Sequence, residues 1–299
     1  MSVKKAIYLA GLAALAIAAA CGGAGVKLDP ESRSFYEYAR LIMTGEEKDV
    51  FTHLPDPGTR KEYIQEFWRK RDPDPDTPEN EFRDGFYTRI EYANKRFKEG
   101  TPGWKTERGR IYIYMGPPDK FDEYVTHDDP DIRGPILWWI YYDYDLGIEF
   151  VDQRNTGSFS MRHYTGNFFE ALDRFKLGDL PFVRGEKRLF VNFKLDYEPA
   201  RREFFVRLPS EAIDFRDEGA GFRVDLEFQF FIYRKGGAKL DEFKLEKTYR
   251  GTIENTEKLK EISFAVPYNL QPGEYYIDVI ITGKDKSLGK TRRIFEVKV

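Results

Sequence analysis

Gly103-Trp104-Lys105-Thr106-Glu107-Arg108-Gly109-Arg110-Ile111-Tyr112-Ile113-Tyr114-Met115-Gly116-Pro117-Pro118-Asp119 compresses a turn, an apolar segment and a hard stop into 17 residues. A glycine before Trp104 frees the backbone to fold the indole back onto a core. Thr106, Glu107 and Arg108 suit a tight polar turn. The alternation from Arg110 to Met115 reads as a strand. Pro117 and Pro118 end it, because neither can donate a ladder hydrogen bond.

Upstream the apolar spacing becomes helical. Ser34 to Met43 and Thr59 to Arg71 are candidate helices, the second carrying Tyr63, Ile64, Phe67 and Trp68 on one side. Asp72-Pro73-Asp74-Pro75-Asp76-Thr77-Pro78 cannot be helix interior. Thr77 and Pro78 form a cap and first-position pair for a helix running to about Lys98, with Phe82, Phe86, Ile90, Ala93 and Phe97 along one face. Downstream come strand candidates Ile136–Tyr142, Ile148–Gln153 and Ser158–Tyr164, then a short helix from Phe168 to Phe175. Adjacent Trp138 and Trp139 must face opposite sides of their strand. This half is therefore expected to be α+β, with helices packed on a small, mostly antiparallel sheet.

Beyond Leu177-Gly178-Asp179-Leu180-Pro181 the period changes to two. Leu189, Val191, Phe193, Leu195 and Tyr197 share a face, as do Phe222, Val224, Leu226, Phe228, Phe230 and Ile232. The pattern continues through Ile262, Phe264 and Val266, then Tyr275, Ile277, Val279 and Ile281, then Phe295, Val297 and Val299. About seven short strands in such a span predict an all-β, Ig-like sandwich. The expected division is a signal peptide over 1–20, a tether over 21–33, the α+β domain over 34–176, a linker over 177–186 and the sandwich over 187–299. Charge changes at the same place: residues 187–299 hold 22 basic and 19 acidic side chains, a net of +3, whereas residues 21–186 hold 24 and 32, a net of −8.

Of 299 residues, 41% are hydrophobic and 33% charged, with a formal net charge of −3. That composition suits a folded protein and excludes a general nucleic-acid binder held by phosphate contacts. One run is apolar enough to approach a membrane span, and its place at the N-terminus excludes a multi-span transporter. There Lys4 and Lys5 precede an Ala-rich stretch ending in Cys21, the one cysteine in the chain. This is the layout of a secretory signal peptide. Ala18-Ala19-Ala20-Cys21 resembles a bacterial lipobox, which implies diacylglycerol on Cys21 and cleavage before it. Gly22 and Gly23 follow without an Asp, and by that resemblance the expected location is the outer membrane, facing the periplasm.

The segment Gly103 to Asp119 resembles the defining motif of the GWxTD domain family of bacterial envelope proteins, with Glu107 standing where the signature has Asp. Phe67-Trp68-Arg69-Lys70-Arg71-Asp72-Pro73, Asn80-Glu81-Phe82 and Tyr92-Ala93-Asn94 fit the same pattern in the same order, over roughly Phe35 to Phe175. The resemblance implies a fold and a compartment and names no reaction. Trp68, Arg71, Asp72, Trp104, Thr106, Glu107, Arg108, Arg110 and Asp119 are the signature residues to place. Two readings stand. Arg69, Arg71, Arg108 and Arg110 pair with Asp72, Glu81, Glu107 and Asp119 to clamp helices on the sheet, or the same turn lines a groove for a ligand.

Chemical motifs are sparse. There is no G-x-S-x-G, no H-E-x-x-H, and His53, His127 and His163 sit in unrelated contexts. Asp72–Asp76 lacks the glycine and the final glutamate of a calcium loop, and His127–Asp131 is a second acidic loop. No cofactor, metal or catalytic residue is expected. The expected role is a non-catalytic interaction or scaffold module, bound to the membrane through its lipid and to another envelope protein, without nucleic acid. The alternative is an exported hydrolase or glycan-binding protein with its site in the aromatic, acidic first half. Replacing the acylated thiol tests the anchor: Cys21→Ser is expected to move the protein from the membrane fraction to the soluble exported fraction, read by fractionation and intact mass.

Overall fold

The computed structural model describes residues 27–177, 192–213, 215–219, 221–252, 259–284 and 289–299. The signal peptide, Cys21, the linker beyond Leu177, and Leu189 and Val191 lie outside the described residues.

Five helices come first: α1 (Pro30–Ala39), α2 (Gly45–His53), α3 (Pro57–Arg71), α4 (Glu81–Arg96) and α5 (Glu107–Met115). Each begins on a polar cap that satisfies otherwise orphaned backbone N–H groups. Asp29 caps α1, Asp56 caps α3, and Thr44 with Glu47 forms a reciprocal capping box on α2. The helix expected from Thr77 instead starts after Asn80. That side chain accepts from Arg83 N and donates to the Trp68 carbonyl, so it caps one helix while fastening it to another. The expected apolar face of α4 does turn inward, with Phe82, Phe86, Ile90 and Ala93 buried.

The expected strand over Arg110–Met115 is a helix. The Thr106 side chain caps it, and Ile111 and Met115, four residues apart, reach the sheet while Ile113 enters the helical core. Alternation looked like a strand because this short helix is wedged between two cores and is apolar on more than one side. Past the prolines lies β1 (Lys120–Tyr124), which no periodicity announces. It joins β2 (Ile136–Tyr141), β3 (Leu146–Val151) and β4 (Ser160–Thr165) in an antiparallel sheet of order β1-β2-β3-β4. Helices α5 and α6 (Phe168–Lys176) cover one face, burying Trp139, Ile148 and Phe150. Trp138 points the other way, half-buried beside Ile132, Ile136 and Val151.

The C-terminal half is β throughout. A three-stranded sheet has β6 (Glu203–Pro209) between β5 (Lys194–Glu198) and β10 (Glu261–Pro267). A five-stranded sheet contains β7 (Arg216–Asp217), β8 (Gly221–Arg234), β9 (Lys239–Thr252), β11 (Glu274–Gly283) and β12 (Lys290–Lys298). Phe204 and Val206 from one sheet meet Phe228, Phe230, Ile277 and Val279 from the other in a shared core. The second face of β8 and β11 is covered as well: Phe231, Tyr233, Tyr276 and Ile280 join the helical core with Phe51, Tyr63 and Phe67. The helices therefore sit on the outer face of the larger sheet, and one apolar cluster crosses the two halves.

Candidate functional site

The signature residues form a tight knot between α4 and α5. Gly103 lies so close to the Ala93 carbonyl that a Cβ would overlap it, and Gly109 stands equally close to the Gly103 carbonyl. Thr106 Oγ1 donates to Gly103 O (2.8 Å) and accepts from Gly109 N (3.0 Å), closing the turn on itself. Trp104 is 5% exposed. It belongs to the helical core, edge-on to Tyr38 at 5.4 Å.

The expected ion pairs are rearranged. Glu107 Oε2 accepts from Met161 N on β4 at 2.5 Å, so its carboxylate serves the sheet rather than an arginine. Arg108 pairs with Glu99 (2.5 Å) and lies 3.9 Å from the Phe159 ring centre. Glu99 also accepts from Phe159 N at 3.1 Å. Arg110 is exposed on α5, and its backbone N–H donates to the Thr106 carbonyl at 3.0 Å. Asp119 accepts from Tyr142 N (2.8 Å), fastening β1 to the end of β2. Trp68 packs among Phe35, Phe67 and Phe86. Asp72 ends α3; its side chain accepts from Asp74 N, and its carbonyl accepts from Lys290 Nζ. Of the nine candidates, the structure gathers Trp104, Thr106, Glu107 and Arg108 at one place and disperses the others.

Arg71 leads to a second constellation that the sequence reading missed. Its guanidinium forks onto both oxygens of Glu47 in α2 (2.6 and 3.0 Å). Arg292 in β12 reaches Glu47 (2.8 Å) and also both oxygens of Asp278 in β11 (2.6 and 2.9 Å). Lys70 links Asp278 (2.9 Å) to Glu66 (2.7 Å), and Lys239 links Glu66 (2.5 Å) to Glu242 (2.8 Å). Arg69 ends the chain on Glu242 at 2.9 Å. Positive and negative charges alternate through nine residues, from buried Arg71 to exposed Arg69, and cross repeatedly between helices and sheet. Tyr233 is hydrogen-bonded to Glu66 and Lys70 along the way. One sequence signal could have found it: Asp278 sits in Tyr275-Tyr276-Ile277-Asp278-Val279-Ile280-Ile281, and a charge inside a strand apolar on both faces needs a buried cation.

Electrostatics follow the geometry. Burial alone would push the Glu47 carboxyl up, but Arg71 and Arg292 outweigh it and hold it at about 2. The same contest at Asp278, decided by Arg292 and Lys70, leaves that carboxyl far below its usual range. Where the chain nears the surface, a cleft of about 430 Å³ is lined by Glu62, Gln65, Glu66, Arg69, Lys239 and Glu242. Glu66, Lys239, Glu242 and Arg69 are already spent on one another. Burial raises the Glu242 carboxyl, yet Lys239 and Arg69 win and hold it below its usual value, the wrong direction for a general acid.

The acidic loops do ordinary turn work. Asp74 accepts from Asp76 N, Asp129 accepts from Asp131 N and pairs with Arg162, and His127 Nε2 contacts Gly134 O at 2.9 Å. Among the described residues no group of three His, Cys, Asp or Glu side chains could hold a metal ion. Large apolar side chains are exposed on and near β1: Phe121 (52%), Tyr124 (50%) and Val125 (69%), with Tyr142 (66%) just past β2.

Residues 30–174 match the model of the GWxTD domain. No curated protein matches the chain. Among solved structures, the chicken interferon gamma receptor alpha chain is 9% identical over 55% of this chain and 66% of its own, with a TM-score of 0.24. A superoxide reductase (neelaredoxin) from Ignicoccus hospitalis is 15% identical over 36% of this chain and 79% of its own, with a TM-score of 0.21. A beta-glucuronidase from Bacteroides uniformis is 11% identical over 36% of this chain and 12% of its own, also at 0.21.

Two outcomes test this account. Trp104→Ala is expected to cost about 3–5 kcal/mol as a buried truncation, and Gly103→Ala at least about 1–3 kcal/mol by overpacking, while Arg110→Ala stays within about 0.5 kcal/mol; denaturant melts check all three. For the charge chain, Arg292→Met removes the cation that Glu47 and Asp278 share, leaving each with one, and is expected to cost about 3–5 kcal/mol. Because the folded Glu47 carboxyl titrates lower than the unfolded one, its contribution is complete above pH 4.5 and disappears as pH falls toward 2. The parent should therefore lose melting temperature across that window more steeply than Arg292→Met does.

Proposed function

Since this chain belongs to the GWxTD domain family through residues 30–174, we propose that it is a lipid-anchored protein of the bacterial cell envelope that docks another envelope protein without catalysis. Cys21 is the anchor, placed on the outer membrane and facing the periplasm, and the C-terminal sheets act as an Ig-like sandwich that holds the first domain. The observation that carries the reading is the exposure of Phe121, Tyr124 and Val125 on and just past the edge strand β1, with Tyr142 exposed beyond its other end. Large apolar side chains gathered at one exposed place mark interaction surfaces. The side chains of Thr106 and Glu107 support the non-catalytic half of the reading, because both are engaged inside the knot.

The rival, a hydrolase or glycan binder, would use the cleft between α3 and β9. Glu66 there is held by Lys70 and Lys239, and Glu242 by Lys239 and Arg69, which keep the Glu242 carboxyl below its usual value. A photo-cross-linking residue at Val125 or Tyr142 of the full-length protein in cells is expected to give a discrete adduct with another protein, and one at Leu240, also exposed, is expected to give none. Equal labelling at all three, or adducts at Leu240 alone, rejects the docking surface.

A further inference from the structure

We infer that the outer edge of β1 accepts an extended, basic segment of a partner protein as an additional antiparallel or parallel strand of the first sheet. The inference rests on the docking reading above and adds the partner's chemistry and mode of attachment.

Of the two edges of this sheet, one is partly occupied. On the β4 side Glu107 takes the Met161 N–H and Glu99 takes the Phe159 N–H, so carboxylates from the helical half occupy backbone donors there. On the other side, among the described residues, β1 pairs only with β2, and four of its five residues are exposed. An unpaired strand edge is a template for another strand.

Charge selects the occupant. Residues 119–131 hold six acidic side chains against Lys120 alone, a net of −5. Asp122 is paired with Lys120 and Asp129 with Arg162. Glu123, Asp128 and Asp131 make no ion pair among the described residues. A second copy of this chain is a poor occupant, because β1 against β1 would set acidic side chains near one another. A basic strand meets complementary charge along the same edge.

The alternation specifies more. Phe121 and Glu123 project to the Trp139 side, while Lys120, Asp122 and Tyr124 project to the other. A matching strand therefore carries two adjacent basic residues, Lys or Arg near Asp122 and Glu123, flanked by apolar residues near Phe121 and Tyr124. Val125 and Tyr142 extend the apolar contact beyond the strand.

The test uses the full-length protein in detergent and three synthetic peptides of about ten residues, long enough to cover a strand. One places adjacent pairs of Lys or Arg between Val or Tyr residues; the second replaces its basic residues with Glu; the third carries prolines that remove backbone donors. Fluorescence anisotropy is expected to show saturable binding of the basic peptide, weakened by salt, and at least about tenfold weaker binding of the other two. Amide exchange should slow in β1 and not in β4, and the exposed substitution Glu123→Lys should weaken binding by about tenfold. Equal binding of the basic and acidic peptides, no binding of either, or binding that leaves β1 exchange unchanged overturns the inference. If the Val125 and Tyr142 adducts persist while the basic peptide is ignored, the partner chemistry is wrong and the docking reading stands. If the adducts are missing, the docking reading itself falls.

Discussion

A carboxylate taken out of water must meet a cation, and Glu47 meets two from opposite ends of the chain. Arg71 comes from the helix that precedes the first proline-rich loop, and Arg292 comes from the last strand. Neither arginine can be satisfied unless α2, α3, β11 and β12 are all in place at once. The apolar contacts around them, Tyr63 and Phe67 against Tyr233 and Tyr276, would tolerate some sliding of helices over sheet. Charges do not tolerate it, because a shift of one residue would leave a buried ion unpaired at a cost of several kcal/mol. The charge chain therefore acts less as a source of stability than as a specification of one docking geometry.

That geometry has consequences for the first domain. With α3 seated on the β8–β9 hairpin, the helical layer has one face committed to the larger sheet. Helices α5 and α6 then cover the inner face of the small sheet and leave its outer strand β1 unaccompanied. The signature knot sits at the hinge of this arrangement. Gly103 and Gly109 bring three backbone segments closer than any side chain would allow, and Trp104 fills the core beneath them. Glu107 then reaches across to β4. A shorter carboxylate at that place would have to move nearer the strand to make the same bond, so the longer side chain is compatible with a structural duty.

Exposed surface and buried network divide the labour. The cleft near Glu66 and Glu242 looks chemically rich, but Glu66, Lys239, Glu242 and Arg69 neutralise one another, and Glu242 is drawn toward its charged form. The β1 edge has the opposite character: large rings in water, a surplus of negative charge and an open backbone ladder. A binding surface needs unsatisfied groups, whereas a structural network needs none.

Several features were legible in the residues alone. Period-two alternation in Phe222 to Ile232 and Tyr275 to Ile281 announced strands, because a half-buried sheet repeats every two residues. Phe82, Phe86, Ile90 and Ala93 announced one face of a helix for the analogous reason. The knot could be located from its glycines and tryptophan, though its content could not. Arg110 to Met115 reads as a strand until Thr106 is known to cap it and two separate cores are known to press on it. The partners of Arg71 were equally hidden: Asp72 and Glu81 are near in sequence, but Glu47, 24 residues away, is the one its guanidinium reaches. Local pattern determines which face of an element is apolar, since that depends on neighbours along the chain. Tertiary structure alone decided which charge meets which and which sheet edge stays open, since those depend on residues brought together across the fold.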